Sequence, residues 1–148
     1  MILKIKIYIA TACAALFLSA PVFANGFKSP SGNILCYVSE YNASGEPVNI
    51  TDAPLRCIIV QTNWNPPINP DPECDLDQTP MLTLPKSGEP VEQMACHGDV
   101  FWPLVGAISY AAQWTLLGYD CAMATTGVTC RNDTGNSISL ARSTRQLR

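Results

Sequence analysis

The most enzyme-like stretch of this sequence is Cys96-His97-Gly98-Asp99, which places a thiol, an imidazole and a carboxylate side by side. A catalytic cysteine needs a free thiol and a histidine that meets it in space, whereas neighbours in sequence usually point apart. We therefore interpret the stretch as one half of a disulfide followed by a turn, and we assign no catalytic residue. Asp99 and Asp120 are the acids or bases that a secreted hydrolase, the enzymatic alternative, would use.

A second cluster is the acidic run from Asp71 to Asp77, in which four carboxylates occupy alternate positions. Such oxygens can coordinate calcium, but the EF-hand pattern fails here. Leu76 stands where that loop requires glycine, and Leu82 stands where it requires a bidentate glutamate. The favoured interpretation is a solvated acidic loop, with no metal and no cofactor.

Aromatic residues form the third candidate group. Trp64 begins the loop-like stretch Trp64-Asn65-Pro66-Pro67, and exposed aromatics of this kind often anchor proteins or sugars. More often such side chains complete a small core, and both interpretations stay open at this point. The binding interpretation predicts a surface built from Trp64, Trp102 and Tyr41.

Cysteines indicate the framework that would hold these groups. Of the seven cysteines, Cys13 lies in an N-terminal apolar segment, and six remain in the rest of the chain. An even number in a short exported chain is typical of a disulfide framework. The chain has no Cys-x-x-Cys pair and His97 is its only histidine, so zinc ligation is disfavoured.

Local patterning selects among the 15 pairings that six cysteines allow. If Thr125-Thr126 is the tip of a hairpin, Cys121 directly faces Cys130, which is close enough for a cross-strand bridge. Thr-Thr is not a favoured tip sequence, so the turn type stays open. A second pair of strands, joined by a longer polar loop, carries Cys36 and Cys57. The expected bridges are Cys36–Cys57, Cys74–Cys96 and Cys121–Cys130.

The fold class expected is mostly β: a small disulfide-stapled domain of short antiparallel strands and hairpins, with little or no helix. Short runs rich in β-branched and aromatic residues lie between turn sequences rich in proline, glycine and asparagine. Residues 104–118 alone fit either an apolar helix ending at Gly118 or strand and loop. The predicted strands cover residues 34–38, 55–60, 81–84 and 137–140, the last as an edge or final strand.

The N-terminus has the order of a secretory signal: a basic start, an apolar run from Ile7 to Leu18, and small residues up to Ala24. The run is too short to span a membrane, which takes about 20 residues. We therefore expect residues 1–24 to be removed and residues 25–148 to form a single exported domain, in the periplasm or outside the cell, with no membrane anchor.

Charge narrows the set of partners. Once Lys4 and Lys6 are removed with the signal, the chain contains seven basic and twelve acidic residues, which gives a net charge of −5. Nucleic-acid binding rewards clustered lysine and arginine, so this composition disfavours it. Another envelope or secreted protein, or a glycan, is the expected partner.

The domain resembles an uncharacterised family of small exported bacterial domains with six cysteines. The resemblance covers nearly all of residues 25–148 and lies in three motifs, followed by Thr134-Gly135 and a Leu140-x-Arg142 ending. The sequence departs from the family in the 20-residue spacing of Cys36 and Cys57, at Tyr110-Ala111-Ala112 and at Asn136. The resemblance implies strand and loop over 104–118 and supplies no activity. The motifs are Phe27-x-Ser29-Pro30-Ser31-Gly32-Asn33-Ile34-x-Cys36, Arg56-Cys57-x-Ile59 and Gly127-Val128-Thr129-Cys130-Arg131-Asn132.

Three functions fit these observations. A binding or inhibitor-type module without catalytic activity fits best, because export, acidity and loop aromatics accompany no convincing catalytic set. The alternatives are a structural component of the cell envelope and the hydrolase that uses Asp99 or Asp120.

Overall fold

The computed structural model describes residues 25–41, 46–98 and 105–148. The predicted signal segment with Cys13, and the candidates Asp99 and Trp102, lie outside the described residues. The described chain forms ten β-strands and no helix, so no helix in these ranges has the length and apolar character needed to cross a membrane. The strands are β1 (Gly26–Lys28), β2 (Ile34–Val38), β3 (Leu55–Ile59), β4 (Asp77–Leu84), β5 (Val91–His97), β6 (Gln113–Leu116), β7 (Tyr119–Ala124), β8 (Gly127–Asn132), β9 (Ser137–Leu140) and β10 (Arg145–Leu147).

The strands form two five-stranded antiparallel sheets. Sheet I contains β1 to β5 and sheet II contains β6 to β10, each in chain order. Antiparallel neighbours need only short connections, which suits a chain so rich in turn sequences. The fold class predicted from the sequence is confirmed.

The two sheets share one apolar core. In β7 and β8 buried and exposed residues alternate, as expected for strands with one face in the core and one in solvent. The ring centroids of Phe27 in sheet I and Trp114 in sheet II lie 5.2 Å apart. β2 is buried on both faces, because its outward side chains Leu35 and Tyr37 pack in a second, smaller cluster with Ile58.

The bridges are Cys36–Cys57, Cys74–Cys96 and Cys121–Cys130, the same three pairs that the sequence analysis reaches. Two of them join directly opposed residues of adjacent strands, Cys36 with Cys57 and Cys121 with Cys130, and these four cysteines are buried. The sulfur atoms of Cys36, Cys57 and Cys130 lie within 4.8 Å of one another, so the two bridges pack together between the sheets. The Cys74–Cys96 bridge is accessible to solvent, because Cys96 is exposed and Cys74 is half-buried.

The strands differ from the sequence prediction in the position of β9 and in four strands that the sequence did not indicate. Residues 137–140 form β9 as predicted, but β9 is an interior strand of sheet II and β10 follows it. Residues 105–118, the described part of the ambiguous segment, contain a turn and β6 and no helix. The short or weakly β-forming strands β1, β5, β6 and β10 were not predicted, because pairing with a neighbour, not propensity, makes them strands.

Two buried tyrosines differ in one hydrogen bond. The Tyr119 hydroxyl donates to the Ala53 carbonyl at 3.1 Å and so ties sheet II to the loop before β3. The Tyr37 hydroxyl is also buried, and no described residue forms a hydrogen bond of ordinary geometry with it, although the Arg56 side chain lies close enough to lower its pKa. A buried hydroxyl without a partner costs free energy, whereas a partnered one does not.

We expect Tyr119→Phe to lower the free energy of unfolding by about 1–3 kcal/mol, because it leaves the Ala53 carbonyl without its donor. Tyr37→Phe removes only an unpartnered hydroxyl, so it should leave stability unchanged or raise it. Urea unfolding followed by fluorescence measures both. Equal losses in the two variants would show that the two hydroxyls are equivalent and that this assignment is wrong.

Alkaline pH should destabilise the domain through the same two residues. Burial raises the pKa of Tyr119 from 10.0 to about 12, and burial also raises the pKa of Tyr37, against the opposing effect of the Arg56 charge. A tyrosine whose pKa is higher when folded contributes stability that is complete below the unfolded value and is lost as the pH rises through the folded value. Unfolding midpoints measured from pH 9 to 12 should therefore fall, and should fall less steeply in Tyr119→Phe. A flat profile would contradict this.

Candidate functional site

The Cys96–His97 pair does not form a nucleophile and base. Cys96 is bonded to Cys74 and has no thiol to attack a substrate. The Nδ1 atom of His97 lies 2.9 Å from the Gly98 carbonyl and must donate to it, so Nε2 accepts the hydrogen bond from the Thr79 hydroxyl at 2.8 Å. The Thr79 bond joins the end of β5 to β4, and the Gly98 bond is local to the end of β5.

Asp120 lies on the outer face of sheet II, far from His97 in the fold. Its carboxylate accepts a hydrogen bond from the Thr115 hydroxyl at 2.7 Å across the β6–β7 pair, and Arg131 is its neighbour on β8. This arrangement is that of exposed cross-strand pairs on a solvated sheet face. Asp120 and His97, on different sheets, are not brought together.

The acidic run Asp71–Asp77 forms a loop held by its own hydrogen bonds. The Asp71 carboxylate accepts from the Glu73 amide at 3.0 Å, and the Gln78 side chain bonds both the amide and the carbonyl of Asp71. In the described ranges the only group of three potential metal ligands is Cys36, Cys57 and Cys130. Those sulfurs are all in disulfides and provide no thiolate for a metal.

Trp64 is not the exposed anchor that the binding interpretation describes, and its burial fits the core interpretation instead. A role of this residue in binding stays a prediction. Its side chain is only 6% exposed, and its indole Nε1 donates to the Ala141 carbonyl at 2.8 Å. The Arg145 guanidinium lies over the ring, 4.8 Å from its centroid, and also bonds Glu92 and the Pro66 carbonyl. Trp64 therefore holds β10 and the β9–β10 turn against the rest of the domain.

Tyr41 is 54% exposed and lies beyond the end of β2, next to residues outside the described part of the chain. Within the described residues Tyr41 forms hydrogen bonds through its backbone: its carbonyl accepts from the Ser39 hydroxyl and from the Arg56 guanidinium, and its amide donates to Ser39 Oγ. Its role in binding stays a prediction. Trp102 lies outside the described residues.

The structure instead forms a groove at the end of the two sheets opposite to Tyr41. We call it the end groove. Its volume is about 420 Å³, within the range of about 300–1,000 Å³ typical of small-molecule sites. Its floor is formed by the core residues Ile34 and Met123. Its walls come from four separate segments: the 29–33 turn, Tyr110, residues 124–127 and residues 141–143.

The 29–33 wall is held in place because its polar side chains form hydrogen bonds with the backbone of adjoining residues. The Ser29 side chain is buried, and its Oγ accepts the Ile34 amide at 3.0 Å. The Asn33 side chain accepts the Gln61 amide at 2.8 Å and donates to the Gln61 carbonyl at 3.1 Å. Such a wall loses little conformational entropy when a ligand binds.

The opposite wall is the tip of the β7–β8 hairpin. Ala124 pairs with Gly127, so Thr125-Thr126 is the two-residue turn that the sequence predicts. Among the described residues neither threonine has a positive φ, which is why Asn-Gly is not needed here. Gly127 takes the unusual conformation instead, with φ of 137°, where a Cβ would also clash with the Leu140 carbonyl.

The third wall presents an aromatic ring on a strained turn. Tyr110 is 44% exposed, and the next residue, Ala111, has φ of 66° in the left-handed region that non-glycine residues avoid. The Ala111 amide donates to the Met123 carbonyl at 2.9 Å, which fixes this turn against β7. Residues with strained backbone conformations are more frequent at functional sites, so the strain at Ala111 supports the groove as a candidate site.

We expect Ala111→Gly to raise the free energy of unfolding by about 0.5–1 kcal/mol, because glycine adopts φ of 66° without a Cβ clash. The matched control is Ala122→Gly in the exposed part of β7, where the same change should lower stability by about 0.5–1 kcal/mol. Thermal unfolding of both variants measures the difference. If both changes destabilise equally, the strain at Ala111 is absent.

Sequence reasoning missed the end groove because no single motif carries it. The Ser29-to-Asn33 stretch is recognisable as a turn, and Thr125-Thr126 as a hairpin tip. Tyr110 lies in the segment whose secondary structure was ambiguous, and Arg142 lies in what resembles a solvated tail. Only the packing of sheet I on sheet II brings these segments to one end of the molecule.

Comparisons with protein-family models, with curated proteins and with solved structures found no match for this chain. The resemblance to the six-cysteine exported family stays a prediction.

Proposed function

We propose that this chain is an exported binding module without catalytic activity, and that the end groove is its ligand site. The observation that carries the proposal is the convergence of four rigid segments on one groove that exposes an aromatic ring, hydroxyl groups and a cation. Binding sites are concave surfaces with a few fixed polar groups, and this groove has that character. The suspected catalytic groups do not support an enzyme, since Cys96 is in a disulfide and Asp120 lies apart from His97.

The stapled framework supports the same proposal. Bridges at Cys36–Cys57 and Cys121–Cys130 lie between the sheets, and disulfides persist in oxidising compartments outside the cytoplasm. We propose that residues 1–24 are removed after Ala24 and that the domain acts in the periplasm or outside the cell. The intact mass of the secreted protein tests this, since the mature chain should begin at Asn25.

Capture from an envelope extract of the source cells tests the binding function. We would immobilise the oxidised domain, a Ser31→Trp variant whose indole fills the end groove, and a Thr115→Trp variant with the same substitution on the outer face of sheet II. A protein or glycan retained by wild type and Thr115→Trp, but lost from Ser31→Trp, supports the proposal. Retention by all three would place the ligand elsewhere on the domain, and retention of nothing above a blank matrix would refute the function.

A further inference from the structure

The charge of the end groove differs from that of the domain. Residues 25–148 carry a net charge of −5, yet among the described residues no aspartate or glutamate lines the groove, and Arg142 is the one charged residue of that lining. Within the described ranges Arg142 forms no ion pair, and its Nη2 donates to the neutral Gln61 side chain at 3.2 Å. A guanidinium has five N–H donors, so most of its donors remain for an anion. The groove therefore favours a ligand with a negative group.

The rest of the polar lining consists of hydroxyl groups. Thr125, Thr126 and Ser143 line the groove, and no hydrogen bond of their hydroxyls joins them to another described residue. Each hydroxyl can both donate and accept, which matches a ligand that itself carries many hydroxyls. The exposed Tyr110 ring adds a flat apolar surface of the kind on which one face of a sugar ring packs.

Some of the backbone groups at the rim are already bonded. Extended peptides bind by adding main-chain hydrogen bonds to free backbone groups of a sheet edge. At the groove the amide of Gly32 donates to Ser29, that of Ala111 to Met123 and that of Ala141 to Thr144, so these three amides are not open to a peptide strand. The side-chain hydroxyls and the guanidinium are the polar side-chain groups that the groove offers to a ligand.

From these observations we infer that the end groove binds an anionic saccharide, a sugar that bears a carboxylate, sulfate or phosphate group. The inference rests on the proposed function and names its ligand class. Arg142 pairs with the anionic group, the threonine and serine hydroxyls bond the sugar hydroxyls, and Tyr110 packs against the ring. A planar guanidinium binds carboxylate, sulfate and phosphate oxygens through paired hydrogen bonds, so all three groups belong to one class of ligand.

The test uses NMR titration of the oxidised domain with matched saccharide pairs. The probes are tetragalacturonate and its methyl ester, and sulfated and phosphorylated oligosaccharides with their neutral parents. We expect shift changes at the end groove and at least tenfold tighter binding of the anionic member of at least one pair. Equal affinity for all charged and neutral members, or shifts confined to other surfaces, would overturn the inference.

Two pairs of variants assign the contacts. Arg142→Gln should weaken binding about ten- to a hundredfold by removing a charge-assisted hydrogen bond, whereas Arg131→Gln, the same change on the outer face of sheet II, should change it less than twofold. Tyr110→Ala should weaken binding about tenfold, and Tyr110→Phe should retain it. Unchanged affinity in Arg142→Gln would refute the assignment of the anionic group.

The failure of this inference is distinguishable from failure of the proposed function. If the capture experiment returns a partner that Ser31→Trp excludes, but no anionic saccharide binds, the binding function stands and the ligand class is wrong. If an acidic peptide of equal charge binds the groove and the saccharides do not, the ligand class is likewise wrong. If neither capture nor titration finds a ligand, both proposals fail.

Discussion

Replacing Trp64 with alanine should lower the free energy of unfolding by about 3–5 kcal/mol, the loss typical of removing a large aromatic side chain from a core. The indole is buried among core residues, its Nε1 bonds the Ala141 carbonyl, and the Arg145 guanidinium packs on its face. Its removal leaves a cavity and an unpaired carbonyl, and it takes away the ring on which Arg145 packs, although Arg145 keeps its bonds to Glu92 and to the Pro66 carbonyl. Because a typical domain has only about 5–15 kcal/mol of net stability, this one change removes a large part of it.

Chemical denaturation of two further variants separates the contributions. Trp64→Phe retains much of the buried ring but loses the hydrogen bond to Ala141, so we expect a smaller loss, with about 1–3 kcal/mol from that carbonyl. Tyr41→Ala truncates an exposed ring and should change stability by less than about 0.5 kcal/mol. If Trp64→Ala unfolds at the same denaturant concentration as the wild type, Trp64 is a surface residue and the assignment to the core is wrong.

A mild reductant under native conditions should open only one of the three bridges. The Cys74–Cys96 bridge is accessible to solvent, whereas the sulfurs of Cys36–Cys57 and Cys121–Cys130 are buried between the sheets. Thiol attack needs access to a sulfur atom, so the buried bridges react only when the core opens. If global opening costs at least about 5 kcal/mol, the buried bridges should react at least about 10³-fold more slowly than the accessible one.

Alkylation followed by peptide mass analysis measures the selectivity. After brief native reduction, label should appear on Cys74 and Cys96 alone, and the circular dichroism of the two sheets should persist. When the reduction is carried out in denaturant, alkylation should label all six cysteines of residues 25–148. The reduced chain should not refold until its disulfides are formed again. A Cys74→Ser/Cys96→Ser variant should remain folded and take up no label. Equal labelling of Cys121 and Cys96 under native conditions would show that the buried bridges do not lie in a closed core.

Several features of the fold follow from the sequence because they depend on local chemistry. β2 covers the residues predicted for it, since β-branched and aromatic side chains there lie between two turns. The hairpin that carries Cys121 and Cys130 has the predicted register, because a two-residue turn fixes which residues face each other. Where propensity is weak, as in β5, the strand forms because β4 offers a partner, and propensity alone could not indicate it.

The candidate site shows the opposite case. Trp64 begins a Trp-Asn-Pro-Pro stretch that has the composition of an exposed loop, but the burial of its ring depends on Ala141 and Arg145, some 80 positions along the chain. Arg142 has the sequence context of a solvated tail, yet the β9–β10 turn brings it to the end groove. No local pattern encodes these placements, because they come from the packing of one sheet on another.

The sequence by itself determined what short-range chemistry specifies: the β character, the pairing of opposed cysteines and the acidic composition. The tertiary structure alone decided which side chains are accessible and which distant segments meet. The physical reason is that turn geometry and strand alternation act over a few residues, whereas burial and the end groove depend on how sheet I packs against sheet II. Trp64 became part of the core through its contacts with Ala141 and Arg145. Tyr110 and Arg142 came to line one groove with the 29–33 turn of sheet I.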